Sequence, residues 1–310
     1  MTGAPILVTG AGGFVCSEIA LALSRAGHDV VAVDQHFDAA TVARLKTVRR
    51  IEGNLPDVFT RGDLGGVSAV IHGAAITASP ERLGISNAAH IRRNMEMLTS
   101  ALDFARSAGA NRFLFLSSMG VFEPHDLPAP GGFFTEATRP TATCTYCAAK
   151  QAGELLTTAA ADDNFTTFSL RLGNIFGPNE ALRETRQHLC LVMRMIAEAQ
   201  SSGIITVQSP EARREWSWLP DLADTIVRLV QDLPVAGPRV LHAGRPPVVA
   251  DLTLARAIAG RLSGTTIRLA SPPDAIRPPM ASGAPSVFDT TQWTPIETAL
   301  DALIPLQVAS

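Results

Sequence analysis

Short apolar runs alternate with amphipathic stretches along the first half of the chain. The apolar runs, which predict strands, are Ile6–Thr9, Val30–Val33, Val70–His72, Phe113–Ser117 and Thr167–Leu170. Helical spacing of apolar positions fills the intervals at about Phe14–Arg25, Ala39–Thr47, Ser86–Ser107 and Tyr146–Ala160. Because parallel strands are joined by right-handed crossovers, usually through helices, this order predicts an α/β fold with a doubly wound parallel sheet.

The alternation of strand-like and helix-like segments becomes less regular after Gly177-Pro178. Helices are expected near Gln187–Gln200, Leu219–Gln231 and Asp251–Leu262, with a strand at Ile204–Val207. These pieces are too short for an independent core, so we expect a small lobe on the carboxyl edge of the sheet, where open α/β sheets bind ligands. The predicted division is a Rossmann domain of residues 1–176, to which 213–245 return, and a small C-terminal substrate-binding lobe of 177–212 and 246–310.

Composition narrows the class of partner. The 310 residues carry a net charge of −3, 18% of them are charged, and no run of like charges stands out, which disfavours nucleic acid and anionic membranes. The chain has no apolar run of membrane-spanning length and opens without a charged leader. We therefore expect a cytoplasmic protein with a small-molecule partner.

The first strand ends in a glycine-rich turn, Thr9-Gly10-Ala11-Gly12-Gly13, that leads into a helix. Gly10 suits the tight turn, and Gly12 or Gly13 lets a pyrophosphate approach the amides at the positive end of the helix. Asp34 ends the second strand, where a carboxylate can bind both ribose hydroxyls and would repel a 2′-phosphate. The alternative is a plain tight turn with a solvated acid, but the full order of elements predicts NAD, in preference to NADP.

Tyr146 is the only tyrosine of the chain, and Lys150 is one of only two lysines. Their spacing of four places both side chains on one face of a helix, and an adjacent ammonium favours the phenolate. Tyr146 is thus a candidate general base, with Lys150 holding the nicotinamide ribose as well. The alternative is an exposed helix pair without a function.

Ser118 ends the apolar strand that precedes this helix, at the sheet edge where such folds place catalytic groups. We expect its hydroxyl to bind the substrate oxygen whose proton Tyr146 removes, while hydride leaves for the nicotinamide. Ser117 or Thr143 could take the place of Ser118.

The four cysteines have separate interpretations. Cys16 stands at the third position of the glycine pattern, where helix and strand pack closest, so we expect weaker cofactor binding or a helix slightly further out. Cys144 and Cys147 form a C-x-x-C sequence around Tyr146, and Cys190 stands apart. A redox or metal role for Cys144 and Cys147 is the alternative. Since zinc would need two more ligands nearby, we interpret the two as small apolar residues at a helix start and expect no metal.

Many ordered motifs resemble the extended short-chain dehydrogenase/reductase family, a group of sugar-nucleotide epimerases, dehydratases and related sugar dehydrogenases. The resemblance covers nearly the whole chain. Its motifs are the glycine turn through Phe14, Val70–Ala75, Asn94, Ser117-Ser118, Val121-Phe122, Thr135-Glu136, Tyr146–Lys150, Leu170–Pro178, Arg214-Glu215-Trp216 and Asp221-Leu222-Ala223.

The resemblance implies further site residues and a homodimer. Phe14, Ala74 and Ala75 would line the cofactor groove, with Asn54 and Leu55 near the adenine and Asn94 supporting the site. Asn174 and Arg214 would face a phosphate or carboxylate of the substrate, although each could be a plain turn or surface residue. The dimer would form through the helices around Ser86–Ser107 and Tyr146–Ala160.

The chain departs from the family pattern at three places. Met119-Gly120 stands where 4,6-dehydratases carry an Asp-Glu pair, so dehydration is not expected. Ser271-Pro272-Pro273-Asp274 replaces the usual arginine before Gly-Asp that grips a diphosphate, and Arg277 is the nearest substitute. Asn54 replaces an aspartate that family members often use at the adenine.

Three functions fit these residues. The first is an NAD-dependent nucleotide-sugar epimerase, and the second is an NAD-dependent dehydrogenase of a sugar or sugar acid that releases NADH. The polar stretch Arg183–His188 suits an anionic substrate in either case. A non-catalytic dinucleotide sensor is the third, and the intact pair of Tyr146 and Lys150 argues against it.

Overall fold

A computed structural model describes residues 3–62, 64–182, 188–232, 239–271, 276–283 and 285–304. Its main element is a seven-stranded sheet in which all the paired strands run parallel, in the order β10-β6-β5-β4-β1-β2-β3. The strands are β1 Ile6–Thr9, β2 Val30–Asp34, β3 Arg49–Glu52, β4 Ala69–His72, β5 Arg112–Ser118, β6 Thr166–Leu172 and β10 Val240–His242. This sheet confirms the predicted doubly wound α/β fold.

Helices cover both faces of the sheet. Within the described residues they are α1 Phe14–Arg25, α2 Ala39–Arg44, α3 Leu55–Thr60, α4 Pro80–Leu83, α5 Asn87–Ser107, α6 Thr145–Ala159, α7 Leu191–Ser202, α8 Leu219–Gln231, α9 Asp251–Ala259 and α10 Ile296–Leu303.

Strand β1 shows why its residues read as one apolar run. Ile6 and Val8 enter the cluster that α1 and α8 cover, whereas Leu7 enters the cluster that α3 and α5 cover. Because successive side chains point to opposite faces and both faces are buried, the first three positions are apolar, and the buried hydroxyl of Thr9 is hydrogen-bonded to His72 Nδ1 at 2.9 Å.

A second, smaller assembly lies at the carboxyl end of the sheet. Three strands pair in the order β11-β9-β7 and two more pair as β12-β8. They are β7 Asn174–Phe176, β8 Ile204–Val207, β9 Arg213–Trp218, β11 Val248–Ala250 and β12 Thr266–Leu269. With α7, α9 and α10 they enclose a third cluster that contains Phe176, Trp216 and Trp218.

The division of the chain into two parts stays a proposal. Of the stretch 213–245, which was predicted to return to the Rossmann domain, α8 packs on α1 and β10 forms an edge of the main sheet. Strand β9 of the same stretch pairs in the three-stranded sheet instead. None of the helices in the described ranges is long and apolar enough to cross a bilayer.

Candidate active site

A cavity of about 390 Å³ opens at the carboxyl edge of the main sheet. It collects predicted residues from the glycine turn to the small lobe: Gly10, Gly13, Phe14, Asp34, Leu55, Ala74, Ala75, Ser118, Tyr146, Lys150 and Asn174. Trp216, Cys190 and Leu191, which sequence reasoning did not select, line it as well. Asn54 lines an adjoining cavity of about 380 Å³.

The glycine turn leaves no room for side chains. Gly10 has a φ of +73°, and a β-carbon there would lie 2.7 Å from the amide nitrogen of Ala74. A β-carbon on Gly12 would lie 2.3 Å from the carbonyl oxygen of His36. Gly13 is the N-cap of α1, so the first amides of a twelve-residue helix lie beside the cavity.

Asp34 joins the turn to the second strand. Its Oδ2 accepts a hydrogen bond of 2.8 Å from the Gly12 amide, and its Oδ1 accepts one of 2.7 Å from the Gln35 amide. One carboxylate therefore holds the backbone of the turn and presents negative charge at the same end of the cavity.

Gly73 compensates for Cys16. A β-carbon on Gly73 would lie 2.2 Å from Cys16 Sγ, closer than any two such atoms can approach. The buried sulfur thus fills the space that a side chain after β4 would need. Burial raises the pKa of the Cys16 thiol to about 12, so this side chain packs as a neutral thiol.

Gly73→Ala is expected to destabilise the protein by about 1–3 kcal/mol, the usual cost of overpacking. In the Cys16→Ala background the same change should cost much less, since the methyl group then meets no sulfur. Urea unfolding of both single variants and the double variant measures this coupling. Equal costs in the two backgrounds would show that the sulfur is not the obstacle.

Asn94 supports the cavity wall and does not line the cavity. Its Oδ1 accepts a hydrogen bond of 2.9 Å from the Ile76 amide, and its Nδ2 donates to the carbonyl of His90 at 3.1 Å. The residue is 7% exposed. It ties the loop after β4 to helix α5, which agrees with a supporting role.

Lys150 is buried beneath the cavity, one turn after Tyr146 in α6. Its Nζ donates to the carbonyl of Leu116 at 2.7 Å and lies 4.6 Å from the centre of the Phe115 ring and 5.7 Å from that of Tyr146. Burial lowers the pKa of this ammonium from 10.5 to about 8, whereas Glu154 favours the charged form.

Ser118 and Tyr146 flank a gap above Gly120. A β-carbon on Gly120 would lie 3.2 Å from Ser118 Oγ and 3.6 Å from Tyr146 Cε1. The Gly120 amide donates to Ser118 Oγ at 3.0 Å, which orients the hydroxyl. The absence of a side chain at position 120 keeps the space between the two hydroxyl-bearing residues open.

Ser117 belongs to a different network. Its Oγ donates to Glu154 Oε1 at 2.6 Å, and Arg171 makes bonds of 2.8 and 2.7 Å to the same carboxylate. Its hydroxyl proton is therefore engaged in the core. Thr143 is exposed and does not line the cavity, so the geometry favours Ser118 among the three hydroxyls.

Glu215 lies beside the cavity residue Asn174, and the sequence analysis did not select it as a site residue. Its carboxylate accepts hydrogen bonds from Asn174 Nδ2 at 3.2 Å and from the Met280 amide at 3.0 Å. Asn174 Nδ2 also lies 3.4 Å from Met119 Sδ. Burial raises the pKa of Glu215 to about 7. Its sequence signal was its place in the Arg214-Glu215-Trp216 motif, which gave it no role.

Arg214 and Arg277, the two arginines considered for the substrate, differ in their hydrogen-bond partners. Arg214 makes a bidentate pair with Asp251, at 2.8 and 3.0 Å, and does not line the cavity. Arg277 has a buried Nε with no hydrogen-bond partner among the described residues, and burial lowers its pKa. Residues 183–187 and 272–275, on which two of the sequence expectations rest, lie outside the described residues.

The interpretation of Cys144 and Cys147 as merely small apolar residues was wrong. The two sulfurs form a disulfide that brackets Thr145 and Tyr146. Sequence showed the C-x-x-C spacing but could not show that both side chains point to the same side of the first turn of α6. Cys16 and Cys190 are thiols.

A sequence model of the NAD dependent epimerase/dehydratase family matches residues 6–244. The UDP-glucose 4-epimerase of Corynebacterium glutamicum is 30% identical over 198 residues, which make up 62% of this chain and 58% of that protein. The matched stretch thus spans less than two thirds of the relative.

Solved structures share the fold over nearly the full chain. The UDP-glucose 4-epimerase of Bifidobacterium longum, in complex with NAD⁺ and UDP, superposes with a TM-score of 0.78 at 19% identity, covering 98% of each chain. The NAD-dependent NDP-hexosamine 5,6-dehydratase TunA gives the same TM-score at 20% identity, covering 96% of this chain and 95% of TunA. At these identities the likeness concerns the fold alone.

Proposed function

Because this chain belongs to the NAD-dependent epimerase/dehydratase family, we propose that it oxidises a sugar hydroxyl with NAD, as a nucleotide-sugar epimerase. The observation that carries the proposal is one cavity lined by Asp34 at one end and by Ser118, Tyr146 and Lys150 at the other. Family membership makes NAD its cofactor, and the chain is an enzyme of the extended short-chain dehydrogenase/reductase type.

The residues fit this cofactor. The turn at Gly10 and Gly12 has no space for a β-carbon, and the amides that begin α1 suit a pyrophosphate. Asp34 offers carboxylate oxygens for ribose hydroxyls, and Leu55, Ala74 and Ala75 supply apolar walls. NAD would therefore bind along the sheet edge, with its nicotinamide end towards Lys150.

The chemistry of the chain's own groups follows from their placement. Tyr146 would take the proton of the substrate hydroxyl, and Ser118 would bind the same oxygen from across the gap above Gly120. Lys150 would favour the phenolate while it is charged and would hold the cofactor ribose. When bound, NAD supplies the acceptor that takes the hydride and can return it.

The far end of the cavity suits an anionic group. Cys190, the N-cap of the twelve-residue helix α7, and Leu191 line the cavity, so the positive end of this helix dipole lies beside it. The amides of Cys190 and Met193 donate to Glu180 Oε1 and to Cys190 Sγ, so a diphosphate would replace these contacts or use the remaining amides of the turn. Arg277, with its buried Nε, is a further cation in the neighbourhood of Glu215. These features favour a nucleotide sugar over a neutral sugar.

A second candidate is a sugar or sugar-acid dehydrogenase with net NADH release. Two groups that would serve a diphosphate are already engaged, since Arg214 pairs with Asp251 and Asn174 Nδ2 donates to Glu215. A smaller substrate needs fewer donors there. Met119 and Gly120 carry no acid or base, which argues against 4,6-dehydration in either case.

A substrate panel separates the two candidates. The protein is incubated with NAD and with nucleotide sugars, free sugars or sugar acids, while NADH absorbance and epimer formation are followed together. We expect an epimer of a nucleotide sugar without net NADH. NADH in proportion to substrate would establish the dehydrogenase, and neither product from any compound would refute both.

Asp34→Ala is expected to relax the preference for NAD over NADP, because a 2′-phosphate no longer meets a carboxylate. Affinity for NAD should fall as well, since the Gly12 amide loses its partner. Titration of both dinucleotides gives the ratio of dissociation constants, with Asp163→Ala, an exposed acid between α6 and β6 that does not line the cavity, as control. An unchanged ratio would remove Asp34 from cofactor selection.

We also propose a cytoplasmic homodimer formed through α5 and α6. The observation that supports the interface is the exposure of two adjacent leucines of α6, Leu155 at 74% and Leu156 at 39%.

A further inference from the structure

The disulfide around Tyr146 has no part in the proposed function. Cys144 is the N-cap of α6, and its Sγ lies 3.1 Å from the amide nitrogen of Cys147. Cys144 is exposed, whereas Cys147 is 8% exposed. One sulfur is therefore open to an attacking thiol and the other is sheltered.

The helix start suits reversible thiol chemistry. The first amides and the dipole of the fifteen-residue helix α6 stabilise negative charge at its N-cap, and cysteines in this position have depressed pKa values. A thiolate at Cys144 is thus a good leaving group and a good nucleophile. The buried thiol of Cys16, by contrast, stays protonated.

We propose that Cys144 and Cys147 form an exchange site for a low-molecular-weight thiol, and that their redox state sets the position of Tyr146. The thiolate of the small molecule attacks Cys144 Sγ, the bond to Cys147 Sγ breaks, and Cys147 leaves with the electron pair and takes a proton. A second thiol attacks the small-molecule sulfur of the mixed disulfide, and Cys144 leaves. The protein gains two thiols and the small molecule is oxidised to its disulfide.

Tyr146 is coupled to this exchange because it lies inside the closed ring. In the oxidised state the disulfide joins Cys144 and Cys147, which lie on either side of Thr145 and Tyr146. The Cα atoms of the two cysteines are 5.0 Å apart. After reduction the disulfide is lost, and the contact between Cys144 Sγ and the Cys147 amide is the constraint that the two cysteines still place on this turn. In a reducing compartment, disulfides are usually transient and redox-sensing, which agrees with such a site.

The lone tyrosine makes the test direct. Protein labelled with 3-fluorotyrosine and saturated with NAD has a single ¹⁹F resonance, which reports on position 146. It is equilibrated in buffers with increasing ratios of reduced to oxidised glutathione, and alkylation with mass spectrometry counts the thiols of Cys144 and Cys147. We expect one resonance to be replaced by another with the same midpoint as the thiol count.

Two variants isolate the pair. Cys144→Ser keeps a capping oxygen but cannot form the bond, so its spectrum should stay at the reduced position in every buffer. Cys190→Ser, also at a helix N-cap, should keep the full response. A resonance that does not move while both thiols appear would overturn the coupling, and thiols that appear in every buffer would overturn the exchange site. The ¹⁹F measurement needs no substrate, so its outcome does not depend on the proposed function. Only an effect of the redox state on turnover would rest on that function.

Discussion

Tyr146→Phe is expected to lower kcat by about 10²–10⁴-fold, the range that a positioned general base contributes. The variant keeps the ring, which lies 5.7 Å from Lys150 Nζ, and loses only the oxygen that would take the substrate proton. NAD binding should change little, because the glycine turn and Asp34 are untouched. This pattern, with chemistry lost and cofactor retained, is what a proton acceptor predicts.

The measurement uses a substrate found in the panel, with single-turnover hydride transfer and NAD titration on the same preparations. Thr143→Val is the matched control, since it removes an exposed hydroxyl of the preceding loop and should keep the turnover of the wild type. If the phenylalanine variant keeps full turnover, another group accepts the proton.

Gly120→Ala is expected to lower kcat by about 100-fold, the loss that a displacement of about 1 Å can cause at a reacting centre. Its methyl group would stand 3.2 Å from Ser118 Oγ and 3.6 Å from Tyr146 Cε1, in the gap that the substrate oxygen needs. The φ of Gly120 is not positive, so alanine fits the backbone without strain. Activity should therefore fall while the free energy of unfolding stays within about 1 kcal/mol.

Gly260→Ala provides the comparison. Its β-carbon would lie 3.4 Å from the carbonyl of Arg256, at the end of α9 and away from the cavity, and both its stability and its turnover should stay near the wild type. A Gly120→Ala protein as active as the Gly260→Ala protein would mean that the substrate does not enter between Ser118 and Tyr146.

Local signals predicted the backbone around the glycine turn well. β1 and α1 have the bounds that periodicity indicates, and the glycine turn with Asp34 lies where the spacing placed it. These features depend on residues close in sequence and on backbone sterics. Strand β3 was missed because Arg49-Arg50-Ile51-Glu52, at the sheet edge, has no apolar run.

The substrate end depends on contacts between distant residues, which one sequence does not reveal. Arg214 pairs with Asp251, 37 positions later, and Glu215 bonds Asn174, 41 positions earlier. Both interactions join β9 to segments that the three-stranded sheet brings beside it, since β9 pairs with β7 and with β11. The motif around Arg214 did not indicate that this arginine would pair with a carboxylate of the same chain.

The contact between position 16 and position 73 also constrains how this sequence can vary. Since a β-carbon at 73 would lie 2.2 Å from the sulfur at 16, a cysteine at 16 costs stability unless glycine occupies 73. The lower-cost reverse path restores a small residue at 16 before a side chain returns to 73. The two positions are epistatic, and homologues should show them changing in that order.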